Sequence, residues 1–481
     1  MKDELSNNEY REQKIENMKN LVSLGYPAYG KAFERTNRLD KLHDLFEIDK
    51  SVRACGRIIA MRKMGKLAFM QLNDGSAKFQ LMIKKDNVGD SSFDACKLLD
   101  LGDIIGVTGS FFLTKTEEKT INVDSWSLLS KSLLPLPEKF HGLSDIETRY
   151  RQRSLDLISN PEVMNVFKKR SEVMKEIRFY LDDLDFFEVE TPMLQQLAGG
   201  ATAKPFKAHY NALDIDVYMR IAPELYLKRL IVGGMDRVYE MNRNFRNEGI
   251  DRTHNPEFTC LELYEAYGDM RSMQDLIKGL IRHVAKVVFG KMKFEWLGET
   301  IDLESPWREI TYNDLICEHL GNAWFDLDVS EMKKIASEKD ISLDGIVSKK
   351  EITHELYEKT IESSLIQPTF VTRLPVELVP LANSCDDDSE SVDVFELIIG
   401  GKEIAPAYSE LNDPIEQRRR FEEQAENDNS KIDHDFLTAL EIGMPPTGGM
   451  GVGIDRLIML LTGSDAIRDV ILFPQLKPRN N

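Results

Sequence analysis

The chain has 481 residues, 42% of them hydrophobic and 30% charged, an ordinary globular composition that is too long for one compact core. No apolar run approaches the roughly 18 residues of a membrane-spanning helix, and MKDELSNNEYREQ lacks the apolar stretch of a signal peptide. Taken alone, the net charge of −19 argues against nucleic-acid binding, but it does not exclude it, because basic clusters recur at Arg53–Lys66, Lys84-Lys85 and Arg149–Arg153.

Five cysteines (Cys55, Cys96, Cys260, Cys317, Cys385) are scattered, odd in number and without Cys-x-x-Cys pairs, which argues against structural zinc and a disulfide framework and for a reducing cytoplasm. Residues 1–50 are polar and helix-favouring and read as a helical lead-in. From Ser51 the pattern changes to five short alternating runs: Val52–Ile59, Leu67–Leu72, Lys78–Ile83, Ile104–Gly109 and Thr120–Val123. Asn73-Asp74-Gly75 marks a turn and Ser92–Leu101 a helix, so residues 51–132 predict a small closed barrel of the OB type. Such barrels stack single-stranded bases on exposed aromatics. Phe69 and Gln80 fall on neighbouring strands, but the pattern alone favours Phe69 as barrel core.

The proline-punctuated segment 133–148 reads as a linker, and 149–481 as a second, larger domain. Apolar Val163, Val166, Phe167, Val173, Ile177 and Leu181 recur at helical spacing, predicting a helix over Pro161–Leu184 followed by a strand that Pro192 ends. Gly199-Gly200 lies in a glycine-rich loop, for which an ordinary turn is the simplest reading. Pro223 opens a helix with Glu224 in its first turn, where the carboxylate suits a helix cap or a bound ammonium.

Arg243–Tyr264, RNFRNEGIDRTHNPEFTCLELY, predicts two antiparallel strands turning at Gly249-Ile250-Asp251. Arg246, Glu248, His254, Phe258 and Glu262 would then share one face. Arginine for a phosphate, an aromatic for a base and carboxylates for amines suit a nucleotide; an exposed, salt-bridged hairpin is the plainer alternative. Residues about 268–380 read as a mostly helical insertion interrupting the sheet, and Asn383–Ser391 as a mobile polar loop. Downstream, Glu396 and Glu403 bracket a Gly-Gly turn, and facing carboxylates beside phosphates imply Mg²⁺ between them. Gly448–Leu461 is a glycine-rich strand passing into an apolar helix that carries Arg456; the βαβ context of a dinucleotide fold is missing.

FRNEGIDRTHNPEFT resembles motif 2 of class II aminoacyl-tRNA synthetases, in the form found in bacterial-type lysyl-tRNA synthetases. The likeness runs from about residue 10 to the C-terminus. The helix and strand ending at Pro192 resemble motif 1, the family's dimer interface, and Gly448–Leu461 resembles motif 3. The resemblance implies an α+β fold: an N-terminal OB-fold β-barrel plus a catalytic domain of antiparallel sheet flanked by helices. It implies a cytoplasmic homodimer that uses ATP and Mg²⁺ to join L-lysine to tRNA(Lys).

Residue by residue, the resemblance implies that Arg246 and Arg456 are catalytic, holding the α- and terminal phosphates. Glu248, His254, Asn255 and Phe258 would bind the rest of ATP, Glu396 and Glu403 the metal and nucleotide. Gly200, Glu224, Arg246, Glu262, Tyr264, Tyr408 and Glu410 would bind lysine, and Phe69, Gln80 and Glu118 the anticodon. If Glu262, Tyr264 and Glu410 converge, the pocket floor is anionic and selects a long cationic side chain over aspartate or asparagine, the specificities of the nearest alternative enzymes. A third alternative is a synthetase-like protein that does not charge tRNA; such paralogues often lack the barrel. The chain departs from the family at Asp185 and Glu117, where glycine is usual, at Val394, where arginine is usual, and at Pro406, where an asparagine helps hold the substrate carboxylate. Pro406 therefore implies weakened or rearranged carboxylate binding.

Overall fold

The computed structural model describes residues 2–136, 143–201, 203–343, 345–346, 348–425 and 432–479. Part of the expected linker, residues 137–142, and Thr202 of the glycine-rich loop lie outside the described residues. The chain divides into two compact units, Met1–Met164 and Asn165–Asn481.

In the first unit, β1 (Ser51–Met64), β2 (Leu67–Asn73), β3 (Lys78–Lys84), β4 (Ile104–Leu113) and β5 (Lys119–Ser130) close a barrel in the order β1-β2-β3-β5-β4. Alternation builds it: Val52, Ala54, Ile58, Met70, Leu72, Leu81 and Val107 point inward and are buried. A bulge between Ile58 and Ala60 bends the long first strand so that it pairs with both β2 and β4. The expected Ser92–Leu101 helix is instead Asp90–Cys96.

The second unit contains β6 (Phe187–Glu188), β7 (Leu194–Gln195), β8 (Lys207–Tyr210), β9 (Ile215–Met219), β10 (Arg237–Phe245), β11 (Glu257–Ala266), β12 (Lys293–Trp296), β13 (Glu299–Asp302), β14 (Arg308–Thr311), β15 (Thr369–Thr372), β16 (Ser384–Cys385), β17 (Asp388–Val392), β18 (Val394–Ile399), β19 (Lys402–Ser409) and β20 (Thr447–Gly453). Its main sheet has the order β14-β15-β18-β19-β20-β11-β10-β6 and is antiparallel except at its two outer pairs. Leu261, Leu263, Met450 and Val452 pack one face against helices Pro161–Asp182, Met270–Val284 and Ile454–Thr462. That leaves the opposite face free for chemistry.

The insertion does not merely interrupt the sheet, because β14 and β15 from it extend the sheet at one end. The Asp386 region is a hairpin of β16 and β17, with Asp387 accepting from Arg373 at 2.7 Å, rather than an open loop. The Pro161–Asp182 helix ends two residues early, in a Schellman motif: Phe186 N–H donates to Leu181 O and Asp185 N–H to Asp182 O. Asp185 takes the left-handed conformation this requires, at φ +61°.

Candidate active site

β10 and β11 pair from Arg237↔Glu265 to Phe245↔Glu257, and there the ladder stops. Pro256 has no N–H to donate, and Arg246 N–H instead donates to the Pro256 carbonyl at 2.8 Å. Arg246, Glu248 and His254 therefore lie in the connection between the strands, not on their face as the alternation suggested. Gly249 does not use a positive φ, because the connection is not a tight turn. Arg246 nevertheless returns to the strand face, its guanidinium 5.2 Å from the Phe258 ring centroid. Glu248 is exposed and accepts from Lys204 N–H at 3.3 Å. Asn255 donates to Glu257 O at 2.6 Å.

Phe258, Cys260, Glu262 and Tyr264 alternate along the open face of β11. Opposite them, Cys260↔Gly453, Glu262↔Gly451 and Tyr264↔Gly449 pair with β20. Three glycines at alternate positions leave this part of β20 bare. The reason differs along the strand. A Cβ at Gly449 would collide with Glu410 Oε1 and the Tyr264 ring, whereas one at Gly451 would meet only Glu262 and Pro406 side-chain atoms at 3.9 Å. Packing demands glycine at 449; at 451 it leaves room.

Glu262, Tyr264 and Glu410 do converge, since Gly449 and Gly451 bring them to one patch. Gly200, at φ +82°, closes over the same place, and its Cβ would meet the Glu224 Cβ at 3.0 Å. Glu224 makes no helix cap: its Oε1 accepts from Lys228 Nζ at 2.6 Å, and Lys228 also pairs with Glu410 Oε2. Glu262 accepts from Asn244 at 3.3 Å and has no salt-bridge partner among the described residues. Burial, followed by the charge of Glu224, pushes its carboxyl up to about 8. Burial lowers the Lys228 ammonium, but Glu224 and Glu410 outweigh it and hold the pKa above its ordinary value. Burial and the surrounding carboxylates push the Tyr264 and Tyr408 phenols far up, so both remain neutral hydroxyls.

Gly400 and Gly401, at φ +61° and +67°, form the two-residue hairpin between β18 and β19. A bulge between Leu397 and Ile398 sets Glu403 opposite Ile398 and brings it diagonally near Glu396. Burial and then the charges of Glu403 and Glu362 push the Glu396 carboxyl up, and Tyr357 OH donates to it at 3.1 Å. Arg456 donates to Glu403 O at 2.8 Å and to His254 Nε2 at 3.2 Å. The His254 Nδ1–H faces Asp251 at 2.7 Å, leaving Nε2 as the acceptor. Val394 is fully buried among apolar neighbours. The β19–β20 ladder begins only at Ala407↔Met450, just past Pro406.

Buried polar atoms without partners gather in this region: Arg246 Nε, Asn244 Oδ1, Asn255 Oδ1 and Glu410 Oε1 lack hydrogen bonds, while Glu410 Oε2 is taken by Lys228. Native interiors rarely leave such atoms unsatisfied, so the arrangement suits a polar ligand. The sequence reading missed two supports. Lys228 was legible only as a charge four residues after Glu224. Asp455, beside Arg456, accepts from Arg170 at 2.6 Å and from Thr259 N–H at 2.7 Å, tying the final helix to β11.

On the barrel, Phe69 is half-exposed rather than core, which removes the plainer reading of that residue. Register puts Arg62 opposite Phe69, and Gln71 opposite Gln80, on one outer face. Gln80 donates to Thr120 at 2.9 Å, and the exposed Glu118 lies two residues before Thr120.

Residues 145–477 match the family of tRNA synthetases class II (D, K and N), and residues 52–129 match the OB-fold nucleic acid binding domain. The chain belongs to the class II tRNA synthetase family. Its relatives narrow this to lysine. The lysine–tRNA ligase of Syntrophomonas wolfei is 48% identical over 492 residues, covering 99% of both chains. That of Pelotomaculum thermopropionicum is 49% identical, covering 98% of this chain and 96% of its own. That of Staphylococcus epidermidis is 45% identical, covering 98% and 99%. Among the described residues no helix is long and apolar enough to cross a membrane.

Proposed function

We propose that the chain activates L-lysine with ATP and transfers it to tRNA(Lys), acting as a lysine–tRNA ligase. The lysine carboxylate attacks the α-phosphorus, pyrophosphate leaves, and a hydroxyl at the tRNA 3′ end then displaces AMP from lysyl-adenylate. The observation that carries the reading is the acidic pocket floor, where Glu262 lacks a cation and Glu410 Oε1 has no partner beside the Tyr264 ring. A side-chain ammonium satisfies them, whereas aspartate would be repelled and asparagine would leave the charge unpaired.

Gly200 and Glu224 receive the α-ammonium, and Tyr408 with Tyr264 lines the side-chain tunnel. Arg246 is free to hold the substrate carboxylate and α-phosphate, Phe258 stacks on the adenine, and Glu248, His254 and Asn255 hold its edge. Arg456 takes the terminal phosphate. Rate enhancement comes from positioning and charge neutralisation, without a protein nucleophile. Glu396 and Glu403 repel one another in a buried setting, which fits a hard divalent cation. No group of three protein ligands is present among the described residues, so the remaining oxygens come from phosphates and water. When bound, Mg²⁺ neutralises phosphate charge.

Phe69, Gln80 and Glu118 read the anticodon, with Arg62 beside them for the backbone. A second copy of the chain docks at β6, the sheet's last strand, where Phe187 is exposed. The free cysteines suit the cytoplasm. Charging of tRNA(Lys) tests the reading: Phe69→Ala raises the KM for tRNA at least tenfold and leaves lysine-dependent pyrophosphate exchange intact. Equal charging by both proteins excludes the anticodon assignment.

A further inference from the structure

The Glu224–Val232 helix buries a lysine where its neighbours Leu225, Leu227 and Ile231 are apolar. Lys228 is 0% exposed, donates to Glu224 at 2.6 Å and pairs with Glu410. A core position needing only volume would hold an apolar residue, because an ammonium is costly to desolvate.

Its surroundings define a charge count. Glu224 comes from Lys228's own helix, Glu262 and Tyr264 from β11, and Tyr408 and Glu410 from β19 and its end. The packed His434–Ile442 helix offers Phe436 and Leu440. Of the nearby arginines, Arg220 is occupied by Glu240 at 2.7 Å and the Arg243 carbonyl at 2.9 Å. Arg246 lies over Phe258. With all three ionised, the carboxylates face one resident ammonium, so two positive charges complete the pocket, and in the empty pocket a proton on Glu262 stands in for one of them.

We infer that Lys228 is a specificity-determining positioning residue, which fixes that deficit at two so that the pocket is completed by a substrate carrying two ammonium groups. The inference rests on the proposed lysine pocket and adds to it the resident cation that sets its count. An amino acid with only an α-ammonium leaves one carboxylate unpaired. Without Lys228 the three carboxylates repel, and the pocket takes up a further proton in place of the missing cation. Lysine then has to displace that proton, so its binding acquires an additional dependence on pH. Lys228 also anchors Glu410 and Glu224 in fixed orientations from one point.

The test is the lysine KM in ATP–pyrophosphate exchange from pH 6.5 to 9 for wild type, Lys228→Met and Lys228→Arg. The KM of Lys228→Met exceeds that of wild type at least tenfold at pH 7 and converges to within about threefold at pH 9, while kcat changes less than KM. Lys228→Arg keeps the charge, and its KM ratio to wild type stays flat with pH. A Lys228→Met ratio that is constant with pH, or within twofold of unity at pH 7, overturns the inference in favour of a purely structural lysine. Wild-type protein lacking lysine-dependent exchange refutes the proposed function itself.

Should the variants not fold, wild-type protein supplies a second readout. Pentane-1,5-diamine keeps lysine's two ammonium groups without its carboxyl group, and it competes with lysine at least tenfold more strongly than pentylamine, which has one. Equal competition by the two amines overturns the charge count.

Discussion

Glu262→Gln separates function from stability at the pocket floor. The substitution keeps the side chain's volume and removes one charge. In wild type the carboxyl is buried and pushed from its ordinary 4.5 to about 8. Its folded pKa lies above its unfolded pKa, so wild-type stability is lost as pH rises from about 4.5 toward 8 and levels off above that. At pH 7 the penalty is the 2.5 pH units between pH 7 and the ordinary value, about 3 kcal/mol. Subtracting roughly 1 kcal/mol for the altered hydrogen bond with Asn244 leaves Glu262→Gln about 2 kcal/mol more stable at pH 7. The activity moves the other way. Removing one member of a buried charge pair costs about 3–5 kcal/mol, which is roughly a 10²- to 5 × 10³-fold loss in kcat/KM for lysine. Wild-type KM for lysine falls as pH rises toward 8, because Glu262 must shed its proton to accept an ammonium; the variant loses that part of the dependence and keeps the part due to Glu410, whose carboxyl burial also pushes up to about 8. Denaturant unfolding and lysine-dependent exchange measure both halves. A variant that is less stable than wild type at pH 7, or that retains wild-type lysine kinetics, refutes the reasoning.

Gly449 and Gly451 of β20 should part company. Gly451→Ala leaves unfolding within about 0.5 kcal/mol of wild type but raises the KM for lysine or ATP, whereas Gly449→Ala loses about 1–3 kcal/mol by overpacking against Tyr264 and Glu410; thermal melts and exchange assays that show the reverse would contradict the packing argument. Asp185→Gly relieves a left-handed aspartate at φ +61° and gains about 1 kcal/mol in urea unfolding; a loss of stability would mean the aspartate side chain contributes there. Pro406→Asn lowers the lysine KM by restoring an amide beside the carboxylate site, and an unchanged KM shows that proline leaves carboxylate binding intact.

Alternation made the barrel legible, because each strand buries every second residue and the turns carry their own residue signatures. The β18–β19 hairpin was equally plain from Gly400-Gly401. What periodicity could not supply was where a ladder ends. Arg246 reads as strand because it alternates, and only the missing N–H of Pro256, with the bond Arg246 makes to its carbonyl, ends the pairing. The insertion's strands escaped notice because β14 and β15 are only four residues each and are separated by helices. Lys228 was hidden for a different reason. A lysine four residues after a glutamate normally reads as an exposed helix pair, and its burial depends on Glu410, far away in sequence. Asp185 is the opposite case: glycine is usual there in the family, and a glycine just past a helix end is the local signature of the left-handed conformation that Asp185 adopts.

Amino-acid-dependent ATP–pyrophosphate exchange with purified protein and each of the twenty amino acids tests the central claim most directly. The account predicts exchange with lysine and background with the other nineteen, including aspartate and asparagine. Exchange led by another amino acid contradicts the anionic-floor argument, and no exchange with any of them contradicts the proposed activation chemistry, with Pro406 the first residue to examine.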